Sequence, residues 1–208
     1  MTVSRRGKRA RTWVRDDTEQ RGIGQTVSRR TIFKLGLLGG IALPLSALGQ
    51  PADRMRPQPG DRLVFEEGPN QGELVRPELL DLNQKPVSAL AQDPETEVLR
   101  DGSRLNRVMI TRIDVDAMGE RYRGNVAAGV IAYSAVCTHT GCDVIDWDAE
   151  KLNMACPCHE SQFDIYEGGK VVGGPAPRPL AMLPLELVDG VVLVAAVFRG
   201  RVGFTQQF

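Results

Sequence analysis

Every cysteine and histidine of this chain lies within one short stretch. The chain has 208 residues with four cysteines and two histidines, and all six fall between Cys137 and His159. They form two groups, which read Cys137-Thr138-His139-Thr140-Gly141-Cys142 and Cys156-Pro157-Cys158-His159. Thiolate and imidazole are the side chains that proteins use for zinc, copper and iron. The clustering therefore predicts a metal site.

The spacing within the two groups is repeated. Each group supplies one thiolate and one imidazole, as Cys137-x-His139 and as Cys156-x-x-His159. Two such loops can clamp a binuclear centre from opposite sides. Cys142 and Cys158 remain, at equivalent places beside the two pairs, and an oxidising compartment permits a disulfide between them.

A mononuclear zinc site is the main alternative, because two cysteines and two histidines can bind Zn²⁺ tetrahedrally. Zinc-finger spacing, however, pairs cysteine with cysteine and histidine with histidine, whereas each group here mixes the two. The C-x-x-C of thiol oxidoreductases and the C-x-x-C-H of c-type haem attachment are absent from the sequence. A zinc-stabilised binding module remains the alternative from another functional class.

The N-terminal region indicates export. Residues 1–27 read as a disordered basic lead, and residues 28–49 resemble a twin-arginine signal: Arg29-Arg30 comes before a 15-residue apolar run. That run is short for a membrane span, which needs about 20 residues. Ala47-Leu48-Gly49 would suit a signal peptidase. Both a cleaved signal and a retained anchor in the inner membrane stay open. The twin-arginine route carries folded proteins, which favours a cofactor inserted before export.

The charge of the chain is unevenly distributed. Net charge is zero overall, but ten of the 26 basic residues and only three of the 26 acidic ones precede Leu35. The rest has 16 basic and 23 acidic residues, an excess of seven acidic ones. A nucleic-acid partner is therefore not expected.

Beyond a predicted linker at residues 50–60, the sequence favours an all-β domain over residues 61–208. Short apolar runs alternate with Gly, Asp and Pro, which is typical of a sandwich or barrel. Asp189-Gly190 predicts a two-residue hairpin turn. The candidate strands are Arg62–Phe65, Arg107–Ile113, Val130–Val136, Val144–Trp147, Leu152–Ala155, Met182–Val188 and Val191–Phe198. Short helical or irregular segments are predicted at Glu73–Leu80 and Asp114–Arg123.

The two groups resemble the C-T-H-x-G-C and C-P-C-H-x-S motifs of Rieske proteins from cytochrome bc complexes and of the arsenite oxidase small subunit. The resemblance is strong over residues 135–164 and extends to Gly174-Pro175-Ala176-Pro177. It implies a Rieske fold: an antiparallel β base with a small cluster-binding subdomain at about residues 135–177.

The resemblance also implies one [2Fe–2S] cluster and roles for individual residues. Its ligands would be Cys137, His139, Cys156 and His159. Cys142 and Cys158 would form a disulfide. Ser161 would donate a hydrogen bond to a cluster sulfur, and the segment Gly174, Pro175, Ala176 and Pro177 would cover the cluster.

Three positions differ from the pattern of quinol-oxidising relatives. Phe163 stands where a tyrosine often donates a hydrogen bond, Glu160 stands where glycine is common, and Thr140 stands where leucine is common. A nearby carboxylate disfavours the uptake of an electron. Together the three residues predict that the exposed tip formed by the two cysteine–histidine groups is more polar, and that the cluster has a lower reduction potential, than in those relatives.

These features predict one-electron transfer by a subunit of a periplasmic or membrane-bound respiratory oxidoreductase, towards a c-type cytochrome or other acceptor. The expected partner is a larger oxidoreductase subunit or a cytochrome bc complex. The alternative is the quinol-oxidising iron–sulfur subunit of a cytochrome bc complex (ubiquinol–cytochrome c reductase). The sequence offers no independent catalytic residue, so the chemistry would be that of the cofactor.

Overall fold

The computed structural model describes residues 49–205; residues 1–48 and 206–208 lie outside the description. The predicted basic lead and nearly all of the twin-arginine segment therefore fall outside it. Within the described range, no helix combines the length and the apolar character that a membrane span requires.

Ten short strands build the molecule, and every pair of neighbouring strands is antiparallel. They are β1 (Arg62–Phe65), β2 (Val87–Gln92), β3 (Val108–Arg112), β4 (Val130–Ser134), β5 (Asp146–Asp148), β6 (Asn153–Cys156), β7 (Ser161–Asp164), β8 (Lys170–Gly173), β9 (Leu185–Val188) and β10 (Val191–Val194). The described helices are α1 (Glu120–Arg123) and 3₁₀ turns at Ala52–Arg54, Pro77–Leu79, Arg104–Asn106 and Val115–Ala117. The predicted all-β fold class is confirmed.

The strands form two sheets. A six-stranded base sheet has the order β4-β3-β2-β1-β10-β9, and a four-stranded sheet has the order β5-β6-β7-β8. The base sheet curls, because the chain just before β9 bonds to β4 at its other edge. The Ser134 N–H donates to the Ala181 carbonyl at 2.8 Å, and the Leu183 N–H donates to the Ala132 carbonyl at 2.9 Å.

Strand β4 separates two apolar cores. Successive side chains of a strand point to opposite faces. On β4, Val130 and Ala132 accordingly pack into the core of the base sheet. Ile131 and Tyr133 pack into a second core, beneath the four-stranded sheet. Because both faces of β4 are buried, its sequence is a continuous apolar run. The strand therefore connects the base sheet to the core beneath the four-stranded sheet.

The predicted hairpin between the last two strands is confirmed. Val188 of β9 pairs with Val191 of β10, so only two residues form the turn. Asp189 and Gly190 both have positive φ, 51° and 76°. This is the type I′ geometry that suits the right-handed twist of paired strands.

The segment predicted as a linker is bound to the domain. Arg100 and Asp61, 3% and 2% exposed, form a buried ion pair through two hydrogen bonds of 2.9 and 3.0 Å. The same guanidinium donates to the Ala52 carbonyl at 2.9 Å. The Asn106 amide donates to the Met55 carbonyl at 2.7 Å. The bond to Asp61 raises the pKa of Arg100.

Removal of the Arg100 charge should destabilise the domain strongly. In Arg100→Met the Asp61 carboxylate stays buried without its partner, and such a loss costs about 3–5 kcal/mol. We expect this decrease in the free energy of unfolding, measured by urea denaturation followed by circular dichroism. Lys151→Met is the control, since it removes an exposed pair with Asp148 and should cost less than about 1 kcal/mol. Equal effects would contradict the assigned role of Arg100.

Candidate metal centre

The first cysteine–histidine group forms a closed loop directly after β4. The Cys137 N–H donates to the Cys142 carbonyl at 2.8 Å, and the Gly141 N–H donates back to the Cys137 carbonyl at 3.2 Å. Gly141 has φ of 82°, which favours glycine. These bonds use the backbone of the loop alone and leave the Cys137 and His139 side chains free.

The second group occupies the hairpin loop between β6 and β7. Cys156 pairs with Ser161 across the hairpin, so four residues, 157–160, form the loop. Glu160, the last of them, is exposed and has φ of 56°. This left-handed conformation favours glycine and costs other residues about 1–2 kcal/mol.

The predicted disulfide is present. Cys142 of the first loop is bonded to Cys158 of the second, with Cα atoms 6.5 Å apart. Both disulfide sulfurs lie within 4.8 Å of the Cys156 sulfur. Because they are bonded to each other, they are not available as thiolate ligands. The free cysteines are Cys137 and Cys156, and both are buried.

The two loops bring the predicted ligands close to each other in pairs. The Cys137 thiol is near enough to Cys156 to raise the pKa of that thiol. The imidazoles of His139 and His159 stand edge to face, with ring centroids 4.6 Å apart. His159 is exposed, whereas His139 is partly buried.

The surroundings of Cys156 affect the charge of its sulfur. Burial raises the pKa of the thiol, and the nearby Cys137 acts in the same direction. The backbone N–H groups of Cys158 and His159 act in the opposite direction, because they can bond to a thiolate. A bound cation would favour the ionised form of the Cys156 thiol.

Buried polar atoms indicate that the donors fit a metal cofactor. The Nδ1 atom of His139 is buried and has no hydrogen-bond partner within residues 49–205. A buried polar atom without a partner costs about 1–3 kcal/mol, and coordination of a metal by the His139 nitrogen would offset that cost. Two thiols, this nitrogen and the second imidazole match the two-cysteine, two-histidine set of a mixed-ligand [2Fe–2S] centre.

Comparison with known proteins identifies the domain. Residues 87–184 match the family described as "Rieske [2Fe-2S] domain". The chain carries a Rieske domain. This segment includes the whole of both loops, together with the segment from Gly174 to Pro177, and a Rieske domain binds one [2Fe–2S] cluster.

Curated relatives share the Rieske domain. The chain is 28% identical to the cytochrome bc1 complex Rieske iron–sulfur subunit of Streptomyces coelicolor, over 86% of this chain and 54% of the relative. It is 42% identical to a protein of Haloferax mediterranei assigned provisionally as a respiratory nitrate reductase Rieske subunit, over 42% of this chain and 38% of that one. The chain thus spans about half, or less, of the length of these relatives.

A solved structure is also similar. The soluble domain of Rieske protein II from Sulfolobus acidocaldarius aligns with a TM-score of 0.35 and 24% identity. The alignment covers 46% of this chain and 66% of that one.

Ser161 and the segment Gly174–Pro177 meet beside the two Rieske loops. Ser161 is fully buried, and its Oγ accepts a hydrogen bond of 3.2 Å from the Ala176 N–H. Its own hydroxyl proton therefore remains available to a group inside the site. A Cβ on Gly174 would lie 2.5 Å from the Ser161 Cα and 2.7 Å from the Glu160 carbonyl oxygen, which leaves room only for glycine.

Arg178 supports the Rieske loops in a way that the motifs did not indicate. The Thr138 hydroxyl donates to the Arg178 carbonyl at 2.7 Å. The Arg178 guanidinium in turn donates to the carbonyls of Arg201 and Gly203 near the C-terminus. It bonds these residues across 23 and 25 positions of sequence, so no local pattern could have predicted the contact.

Substitution at Gly174 should disturb the segment that flanks the site. Gly174→Ala adds a clash with the Ser161 backbone at φ of 75°. It should lower the free energy of unfolding by about 2–4 kcal/mol. The neighbouring Gly173→Ala is the control, because its Cβ would lie 3.6 Å from the nearest atom, which is ordinary contact. Urea unfolding of both variants measures the difference, and equal stabilities would refute the close approach at Gly174.

Proposed function

We propose that this chain transfers single electrons through one [2Fe–2S] cluster, with Cys137 and Cys156 on one iron and His139 and His159 on the other. It would act as a subunit of a periplasmic or membrane-bound respiratory oxidoreductase. The observation that carries the proposal is the buried His139 Nδ1 without a partner, in a Rieske domain whose two free cysteines are both buried.

Each ligand has a distinct part in this proposal. When bound, the cluster accepts and returns one electron, at roughly −150 to +300 mV for this ligand class. Cys137 and Cys156 would be the only negatively charged protein ligands. Because the two imidazoles are neutral, the cluster with its ligands carries less negative charge than one held by four thiolates, and it is therefore easier to reduce. The Cys142–Cys158 disulfide fixes the two loops relative to each other. The exposed His159 provides a short route to a docked partner.

The polar tip favours an intermediate electron carrier over a quinol oxidase. Thr140 and Glu160 are both exposed at the loops, where an apolar face would suit a quinone pocket. Phe163 is fully buried and has no hydroxyl to donate. The nitrate reductase assignment of the Haloferax relative agrees with this choice. The cytochrome bc1 subunit from Streptomyces supports the alternative, a quinol-oxidising subunit of a cytochrome bc complex.

We further propose that the protein lies on the periplasmic side of the inner membrane. The support is the Arg29-Arg30 pair before an apolar run, together with a disulfide that requires an oxidising compartment. The segment at residues 28–49 would act as an export signal or as an anchor. The expected acceptor is a c-type cytochrome.

Metal analysis and EPR spectroscopy of the purified protein test the cluster directly. We expect about two irons per chain and a rhombic signal after reduction with dithionite, since histidine ligation makes the two irons inequivalent. Cys156→Ser should abolish the signal. A silent spectrum with one zinc per chain would overturn the proposal and favour a zinc-stabilised module.

Ser161→Ala should lower the midpoint potential. Loss of a hydrogen bond to the cluster costs the reduced state about 1–2 kcal/mol, which corresponds to roughly 40–90 mV for one electron. Ser134→Ala is the matched control: Ser134 is buried, and its Oγ also accepts from a backbone N–H, that of Val136 at 3.2 Å. Spectroelectrochemical titration measures both. An unchanged potential in Ser161→Ala would remove this residue from the proposed site.

A further inference from the structure

Four arginines surround one surface cavity beside the Rieske loops. Arg121, Arg178, Arg199 and Arg201 line a cavity of about 270 Å³ whose other walls are mostly apolar, including Leu180 and Met182. No acidic side chain lines this cavity. Arginine is enriched at protein interfaces, where its planar guanidinium pairs with carboxylates.

The positive charge of this cavity is poorly compensated. Within the described part of the chain, the side chains of Arg199 and Arg201 take part in no salt bridge or hydrogen bond. The Arg178 guanidinium bonds only to neutral oxygens, and its pKa is lowered by burial and by the charge of Arg201. Arg121 alone faces a carboxylate, that of Glu167 at 3.7 Å.

The arginines are continuous with the cluster site. Arg178 also lines a second cavity, of about 550 Å³, together with His139, Pro175 and Pro177. Through this shared residue, the positive charge extends to the cavity that His139 lines.

An apolar groove adjoins the arginines on the other side. Arg201 is common to the first cavity and to a groove of about 450 Å³ that includes Val197 and Phe204. Val197 and Phe204 are 61% and 39% exposed. We call the surface formed by Arg178, Val197, Arg199, Arg201 and Phe204 the C-terminal face. It combines exposed apolar groups with arginines, as protein-binding surfaces do.

The positive charge of the C-terminal face contrasts with the rest of the chain. After Lys34 the chain has 23 acidic and 16 basic residues, so its net charge there is negative. We propose that the C-terminal face is the docking surface for an acidic electron-transfer protein, which it holds beside His139. Most of the domain surface would repel such a partner and this face would attract it, so the charge pattern orients the encounter. The inference rests on the proposed electron-transfer function and names the partner surface of that same site.

A pair of cytochromes of opposite charge tests this proposal. The full-length, cluster-loaded protein is reduced and mixed in a stopped-flow instrument with basic native cytochrome c, or with the same cytochrome made acidic by succinylation of its lysines. One electron passes from the reduced protein to the ferric haem, which becomes ferrous. We expect the acidic cytochrome to react faster at low ionic strength and to slow down as salt is added.

Variants then locate the effect. Arg199→Gln combined with Arg201→Gln should slow the reaction with the acidic cytochrome by about three- to tenfold at low salt. Lys85→Gln combined with Lys151→Gln removes the same charge from exposed residues that line none of these cavities, and it should leave the rate within about twofold. The EPR signal and the midpoint potential should stay unchanged in both variants.

The outcomes separate the two proposals. A missing cluster signal would overturn the electron-transfer function itself. With the cluster intact, a faster reaction with the basic cytochrome would show that the net negative charge dominates, which would overturn the docking surface alone. The same conclusion would follow if both double variants slowed the reaction equally.

Discussion

The imidazole nitrogen that His139 offers to the cluster site must stay free of hydrogen bonds from the rest of the protein, and the support of the two loops follows from this constraint. A buried donor atom such as the His139 Nδ1 cannot be held by bonding it to a neighbour, because that would remove it as a ligand. The loops are therefore fixed from outside. The Cys142–Cys158 disulfide, the close approach of Gly174 and the bond from Thr138 to the Arg178 carbonyl all act on residues other than the four proposed ligands.

Support of this kind needs a rigid base, and β4 provides it. Its side chains alternate between the two apolar cores, so the strand cannot shift along its axis without exposing residues on both faces. The first ligand loop begins three residues after this strand ends, at Cys137. The position of one proposed ligand pair, Cys137 and His139, is thus set by the packing of the whole domain. The second pair depends on the disulfide and on the β6–β7 hairpin.

The parts that sequence could predict are those encoded locally. The two cysteine–histidine groups, the Asp189-Gly190 turn and apolar strands such as β1 and β10 each depend on a few adjacent residues. Strands β2, β7 and β8 escaped prediction, because their Ala, Ser, Gln, Gly and Lys residues have little preference for a strand. They form because neighbouring strands pair with them. The bonds from Arg178 to Arg201 and from Arg100 to Ala52 span 23 and 48 positions, and no short pattern encodes such distances.

The bonds from Arg100 to Asp61 and Ala52 also limit how far this domain can travel. If residues 52–60 were extended and free, they would add about 30 Å of reach between the domain and whatever precedes it. Bound as they are, they add almost none. If the domain moves a long way between an electron donor and an acceptor, the flexible segment must lie before Ala52. Otherwise the donor and the acceptor must both lie close to a domain that stays in place.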